Sequence, residues 1–357
     1  MRALYLLPLL ETSAVAATAL MVPLLASNFA SLFEIGTIGA AYGLANFISY
    51  FYFGRRSDNL GRRRPFIKAG LAASAVAALL HLAMHDVASA LLARAALGFA
   101  VGIYYFPLVA YLGAMQGFKQ KLGAFMGASA LGWSLGTLLA GLLGGASAFL
   151  AASLLFAAGL ALSFALPAVR YKGLAIPRFP RAIIRKNARI YLAFLLRHSG
   201  AHAVWIIFPL FLQQLGASML LIGVIYALNT LGQFFVMNWL GRFLEQRDET
   251  RFIQLGYVLS GSVFLLYYIA PNPYFILPVQ LILATGWSFV WLGSIIQLSA
   301  HNAEQATSTG ILGSMSGLAQ AFGPLLGGAV AQLYGFHAVF LLAAALCLLP
   351  FAISRKL

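Results

Sequence analysis

Ionisable side chains are costly in hydrocarbon and mark functional positions there, and this chain has few of them. Glu11 interrupts the apolar run at 3–28, and Arg197 interrupts the run at 189–213. A carboxyl in such a place can take up and release a proton as its surroundings change. Arg197 can hold an anionic substrate group, serve as the countercharge of Glu11, or form a fixed ion pair with it. Arg94, in the run at 88–111, can extend to the outer headgroups or face inward with a functional role. His198 and His202 are four residues apart, with Trp205 continuing their face. Such a pair can bind zinc, but a third ligand and an H-E-x-x-H pattern are missing, so no metal is expected. A polar wall or interhelical hydrogen bonding suits the pair better.

Weaker polar groups recur at helical spacing. Tyr42, Asn46 and Ser49 share a face of one run; Tyr226, Asn229 and Gln233 share the matching face of another. Gln280, Trp287 and Trp291 line a third. Aromatic stripes commonly serve packing or interfacial anchoring. The two tryptophans lie well inside their run, which suits a cavity for an amphipathic or ring-shaped substrate.

The elements that must position these residues follow from composition. Of 357 residues, 62% are hydrophobic and 9% charged, against about 25% charged in soluble domains. Crossing a bilayer takes about 20 apolar residues as helix. Twelve segments qualify: 3–28, 34–53, 66–84, 88–111, 122–143, 147–167, 189–213, 219–240, 252–270, 274–297, 306–330 and 336–353. The first begins directly at Met1-Arg2 and lacks a cleavage site, so it is expected to span rather than to be removed.

The 23 Lys and Arg against 8 Asp and Glu fall in alternate loops. Arg2, the 54–64 loop, Lys119, Lys121, the 168–188 connection, Arg242, Arg247, Arg251, Arg355 and Lys356 share one side. The opposite loops hold Asp86, Gln213-Gln214 and Pro271-Asn272-Pro273. The positive-inside rule then predicts cytoplasmic N- and C-termini, and the plasma membrane is the expected location. It also accounts for the basic excess without a nucleic-acid partner. The acid-free 168–188 stretch, with Arg170, Lys172, Arg178, Arg181, Arg185 and Lys186, is expected to be a cytoplasmic linker beside anionic lipid headgroups. The single cysteine, Cys347, excludes internal disulfides and thiolate metal clusters.

The halves repeat each other. Tyr5-Leu6 through Glu11-x-Ser13 aligns with Tyr191-Leu192 through Arg197-x-Ser199 at an offset of 186 residues. At 187 residues, Ile35-Gly36-x-Ile38 matches Ile222-Gly223-x-Ile225, Gly54-Arg55 matches Gly241-Arg242, and Gly136 and Gly141 match Gly323 and Gly328. The expected architecture is all-α and integral to the membrane: two pseudo-symmetric six-helix bundles, 1–167 and 189–357, joined by 168–188. A ligand site is expected near the midplane where repeats meet. Glu11 and Arg197 would then occupy opposite walls of one cavity.

Gly54-x-x-x-Asp58-x-x-Gly61-Arg62-Arg63 resembles the loop between the second and third helices of major facilitator superfamily (MFS) transporters. Arg94-x-x-x-Gly98, followed by Gly102, looks like that superfamily's helix 4 arginine motif, with Leu97 where glutamine is frequent. Gly323-Pro324-x-x-Gly327-Gly328 resembles the glycine–proline motif of its drug:proton antiporters, which carry it in helix 5; here helix 5 has Gly136 followed by Thr137. Helix bending at these glycines and Pro324 is the expected use.

The resemblance implies a twelve-helix MFS fold and alternating access. By that analogy Asp58 and Arg62–Arg64 latch the cytoplasmic gate, Asp58 facing a helix N-terminus near Thr307-Ser308-Thr309 and Glu245 acting as a weaker counterpart. It implies proton coupling at Arg94, beside Glu11. Together the readings point to proton-coupled efflux of small amphipathic or drug-like compounds by a monomer. Proton-coupled uptake of a sugar or organic acid is the alternative within transport. A non-transporting receptor or lipid-handling protein is the alternative outside it. The expected partners are a small-molecule substrate, protons and membrane lipids. No P-loop or other nucleotide motif appears, so neither a cofactor nor enzymatic activity is expected.

Overall fold

Backbone polar groups in hydrocarbon must be satisfied internally, which for a single segment means helix. In the computed structural model, which describes residues 2–113, 118–167, 181–243, 249–302 and 305–354, every long element is helical. The first half supplies α1 (Arg2–Ala26), α2 (Leu32–Leu60), α3 (Arg64–Leu80), α4 (Val87–Gly113), α5 (Phe118–Leu143) and α6 (Ser147–Ser163). A six-residue helix, α7 (Arg181–Lys186), precedes the second half. That half supplies α8 (Ala188–Gln214), α9 (Met219–Phe243), α10 (Glu249–Tyr268), α11 (Pro273–His301) and α12 (Gln305–Ser354).

Eight helices are long and apolar enough to cross a membrane. They are α1, α3, α4, α5, α8, α9, α11 and α12. Three further helices fall short for physical reasons: α6 has 17 residues, while α2 and α10 carry charged residues at their ends. The 50-residue α12 is two spans joined at Gly335, whose φ of 78° and ψ of 175° are non-helical. The twelve expected spans are thereby accounted for. Only glycine takes that backbone conformation without a steric penalty. Gly335→Ala is expected to destabilise the fold by about 1–2 kcal/mol, read as a lowered thermal midpoint in detergent.

The helices outrun the apolar segments where polar residues follow. The stretch 54–60, expected in a loop, continues α2 to Leu60. Charged residues mark the exit from hydrocarbon, not the end of hydrogen bonding along the helix. The chain turns instead at Gly61, with φ of 59°, and α3 restarts at Arg64 with a proline in its first turn. Of the remaining connection, residues 168–180, including Arg170, Lys172 and Arg178, lie outside the described residues.

At the opposite ends, short connections are closed by side-chain caps. The Glu34 carboxylate accepts from the Ser31 N–H at 2.7 Å, and the Glu34 N–H donates to Ser31 Oγ at 3.3 Å, a reciprocal capping box. Asp86 Oδ1 accepts from the Ser89 N–H at 2.8 Å and from Ser89 Oγ at 2.6 Å at the start of α4. These bonds hold the exposed Asp86 carboxyl below its ordinary pKa. Asn272 caps α11 through the Phe275 N–H at 3.1 Å.

Packing divides the chain into two compact units. Unit 1 contains residues 1–30, 41–176 and 219–227; unit 2 contains 31–40, 177–218 and 228–357. Each half therefore lends the first turns of one helix, α2 or α9, to the other half's unit.

Within unit 1, α5 lies hard against α1. A Cβ on Gly136 would collide with the Ser13 carbonyl, while Ser13 Oγ donates to the Gly132 carbonyl at 2.9 Å. Within unit 2, α12 meets α8 in the same way. A Cβ on Gly323 would lie 2.7 Å from the Ser199 carbonyl oxygen, and one on Gly327 would strike the Ala203 backbone. The sequence repeat is thus a repeat of backbone contacts.

Candidate functional site

In unit 1, α1 brings Glu11 into the interior two turns from its start, and the side chain is 1% exposed. The Tyr104 hydroxyl, from α4, donates to Glu11 Oε2. Glu11 Oε1 is buried and has no hydrogen-bond partner. Gly70 on α3 leaves room for Tyr104: a Cβ there would lie 2.7 Å from the Tyr104 Cβ. Nothing in the sequence singled out Tyr104, which sits in an apolar run.

Arg94 is 6% exposed and lies over the Tyr42 ring, 4.3 Å from its centroid. Its Nε and Nη1 are buried without partners. His81, another residue the sequence reading passed over, places Nδ1 3.0 Å from the Ala77 carbonyl. A carbonyl only accepts, so that nitrogen carries the proton in the neutral ring, and the buried Nε2 is left unpartnered. Asn46 Nδ2 donates to the Gly98 carbonyl at 3.2 Å, and Ser49 Oγ to that of Phe99 at 2.6 Å. Asn46 and Ser49 therefore serve as clamps between α2 and α4. Tyr226 is buried in the α9 turns that belong to this unit.

In unit 2, Arg197 is 2% exposed. Its Nε and Nη2 donate to Ser260 Oγ on α10 at 3.1 and 3.0 Å, and its guanidinium lies 4.8 Å from the Trp287 centroid. The Arg197 carbonyl receives the Cys347 thiol at 3.5 Å. Ser260 was also missed by the sequence reading. Its repeat mate at the 186-residue offset is Ser74, whose buried Oγ has no partner. A polar residue recurring across the repeat was the available signal.

His198 and His202 bring their Nε2 atoms to 3.2 Å. The His198 ring stacks on Trp287 at 4.8 Å and 14°, and Trp287 on Trp291 at 5.5 Å and 18°. Phe194 closes the side of the stack. The structure thus joins four expected site residues into one aromatic column beside Arg197. Trp205 lies half-buried further along α8. Gln233 donates to Asn229, and Asn229 to the Gln280 carbonyl at 3.4 Å. Gln280 in turn donates to the Tyr267 hydroxyl at 2.7 Å. These amides tie α9, α10 and α11 together.

Among the described residues, neither Arg94 nor Arg197 is in an ion pair with a carboxylate. Glu11 belongs to unit 1 and Arg197 to unit 2.

The expected gate residues fall on the α2–α3 turn. Gly54 and Asp58 lie in the last turns of α2, Gly61 makes the turn, Arg62 is exposed and Arg63 half-buried. The side chain of Asp58 lies outside the described residues, as does Glu245. Pro324 sits inside α12. A Cβ on Gly36 would meet its carbonyl oxygen and would lie 2.9 Å from the Gly328 Cα. The repeat-equivalent contact occurs in unit 1, where a Cβ on Gly223 would lie 3.2 Å from the Gly141 Cα.

The family profile described as Major Facilitator Superfamily matches residues 4–291 and 190–355. No curated protein matches the chain in sequence. Solved structures do match its fold. A mutant of the nucleoside transporter NupG has a TM-score of 0.83 at 13% identity, over 99% of this chain and 98% of its own. The human organic anion transporter MFSD10 (TETRAN) has a TM-score of 0.76 at 20% identity, over 99% and 98% respectively. A bacterial homolog of the human lysosomal transporter Spinster, in an inward-facing and occupied conformation, has a TM-score of 0.80 at 11% identity, over 99% and 95%.

Proposed function

The chain belongs to the Major Facilitator Superfamily, and from that premise we propose that it is a proton-coupled secondary transporter of small ring-bearing amphipathic molecules, working by alternating access. Its fold is that of a multi-pass membrane transporter. The observation that carries proton coupling is Glu11: a buried carboxyl without a cationic partner among the described residues, held by one tyrosine hydroxyl and with its second oxygen unsatisfied. Such a group changes protonation when its surroundings exchange water for protein. Arg94, the other expected coupling residue, stands in the same unit over Tyr42. It keeps its charge through the cycle, held over that ring.

The aromatic column of His198, Trp287 and Trp291 supports recognition of a planar ring. Similar folds include a nucleoside and an organic anion transporter by their descriptions, which fits ring-bearing polar substrates. The arginine-bearing loops favour cytoplasmic termini. The α2–α3 turn with Asp58 and Arg62–Arg64 would latch the cytoplasmic side.

The test is proton movement in proteoliposomes loaded with a trapped pH dye, with lipophilic cations, sugars and organic acids added in turn. A pH signal that appears with one class and not the others is the expected result. Substrate flux without proton movement would leave a uniporter. No flux of any class would favour a receptor.

A further inference from the structure

Glu11 is the only buried acid among the described residues, whereas two arginines are buried. The imbalance is sharpest in unit 2, where Arg197 is a buried fixed cation and no Asp or Glu among the described residues is buried. A guanidinium withdrawn from water without a carboxylate is strongly disfavoured unless something else meets its charge. Ser260 and the face of Trp287 meet part of it. Both Ser260 bonds come from Nε and Nη2, one edge of the guanidinium. Nη1 makes no hydrogen bond to a described residue, yet unlike Nε and Nη1 of Arg94 it is not among the sealed atoms. It is the one edge of the guanidinium left for a ligand to meet.

What surrounds that donor fits a ligand of one kind. Trp287, Trp291 and His202 are only half-buried, so the column next to Arg197 also presents surface. Its rings are nearly parallel, 14° and 18° apart, and the stack offers a flat apolar face. Of the two facing histidines, only His198 has a sealed, unpartnered Nδ1. His202 Nδ1 is not among the sealed atoms, and it carries a proton to donate in the tautomer where His198 Nε2 donates to His202 Nε2. A cationic ligand would face Arg197 with nothing to offset it, and a neutral one would leave the charge as it stands.

We infer that unit 2 is the recognition site for an organic anion carrying an aromatic ring. Its planar oxyanion would bond to Nη1 of Arg197 and Nδ1–H of His202, and its ring would extend the Trp287–Trp291 stack. The inference rests on the transporter reading and sets the charge of its substrate. A bound anion would supply the countercharge that Arg197 lacks among the described residues, so binding and neutralisation of Arg197 become one event.

The experiment uses full-length protein in detergent, titrated with benzoate, 1-naphthoate and indole-3-carboxylate, each beside its neutral primary amide. Quenching of tryptophan fluorescence reads binding, and calorimetry checks it. In wild type, at least one carboxylate is expected to bind about tenfold or more tighter than its amide, the scale of one hydrogen bond to a charged group. Arg197→Gln should collapse that ratio to about one without weakening the amide, and Arg197→Lys should restore part of it. Trp291→Leu should weaken acid and amide together and leave the ratio unchanged.

Equal binding of acid and amide in wild type, absence of binding by any carboxylate, or a ratio that survives Arg197→Gln would overturn the inference. Should Arg197→Gln not fold, His202→Gln carries the same comparison, with a reduced carboxylate preference as the expected outcome. Proteoliposome flux separates the two readings. Gradient-driven movement of neutral or cationic compounds alone would sink the anion site and keep the transporter. Carboxylate binding with no flux of anything would do the reverse.

Discussion

Glu11→Gln is expected to abolish substrate-driven proton movement while leaving a folded protein that still exchanges substrate across the membrane. The amide keeps the shape of the carboxyl, and its oxygen can go on accepting from the Tyr104 hydroxyl. Its NH2 takes the position of the unsatisfied Oε1. What disappears is the titratable site alone. A positioned proton-transfer group is worth roughly 100-fold or more, so the pH-dye signal should fall to background. Counterflow of labelled substrate, which needs no net proton movement, should persist. Tyr104→Phe should give an intermediate result, because it removes the one donor to the carboxylate without removing the proton site. A coupled signal that survives Glu11→Gln would reassign Glu11 to structure.

The second large effect concerns stability. Gly136→Ala and Gly327→Ala each place a methyl group against backbone atoms of the neighbouring helix, Ser13 in one unit and Ala203 in the other. Backbone cannot rotate aside as a side chain can, so the helices must separate. Overpacking of this kind costs about 1–3 kcal/mol. The matched control is Gly310→Ala, also within α12, where nothing lies within 4 Å of the added atom. There alanine should be neutral or stabilise by up to about 1 kcal/mol. Thermal unfolding in detergent should rank the variants accordingly, with both contact variants melting below wild type. Equal midpoints for Gly327→Ala and Gly310→Ala would mean that the close approach of α12 to α8 contributes nothing.

These two predictions differ in how far the sequence alone could reach them. The glycine contacts were legible as a repeat, since Gly136 and Gly323 stand 187 residues apart and the serines they meet stand 186 apart. Spans were legible because hydrocarbon thickness fixes helix length. The Ser31–Glu34 cap carries its own local signature, S-x-x-E before an apolar run.

Helix ends were less legible. Polarity reports where the chain leaves lipid, and α2 continues past that point until Gly61. Least legible were partners distant in sequence. Tyr104 lies 93 residues from Glu11 and Ser260 lies 63 from Arg197. Each stands in a segment whose apolar character says only that it is buried. Spacing identified Glu11 and Arg197 as exceptional; only packing says what each one touches.

Cys347 has a consequence for those who would study this protein. It is the chain's single cysteine, fully enclosed, with its thiol turned to the Arg197 carbonyl. Toward maleimides and spin labels the native chain should therefore behave as a cysteine-free template. A cysteine introduced at the exposed Leu60, beside the arginine-rich turn, should react alone and, on the orientation proposed above, from the cytoplasmic side. One introduced at Ala270, in the connection between α10 and α11, should react alone from the other. Any slow modification of Cys347 itself would register the parting of α12 from α8.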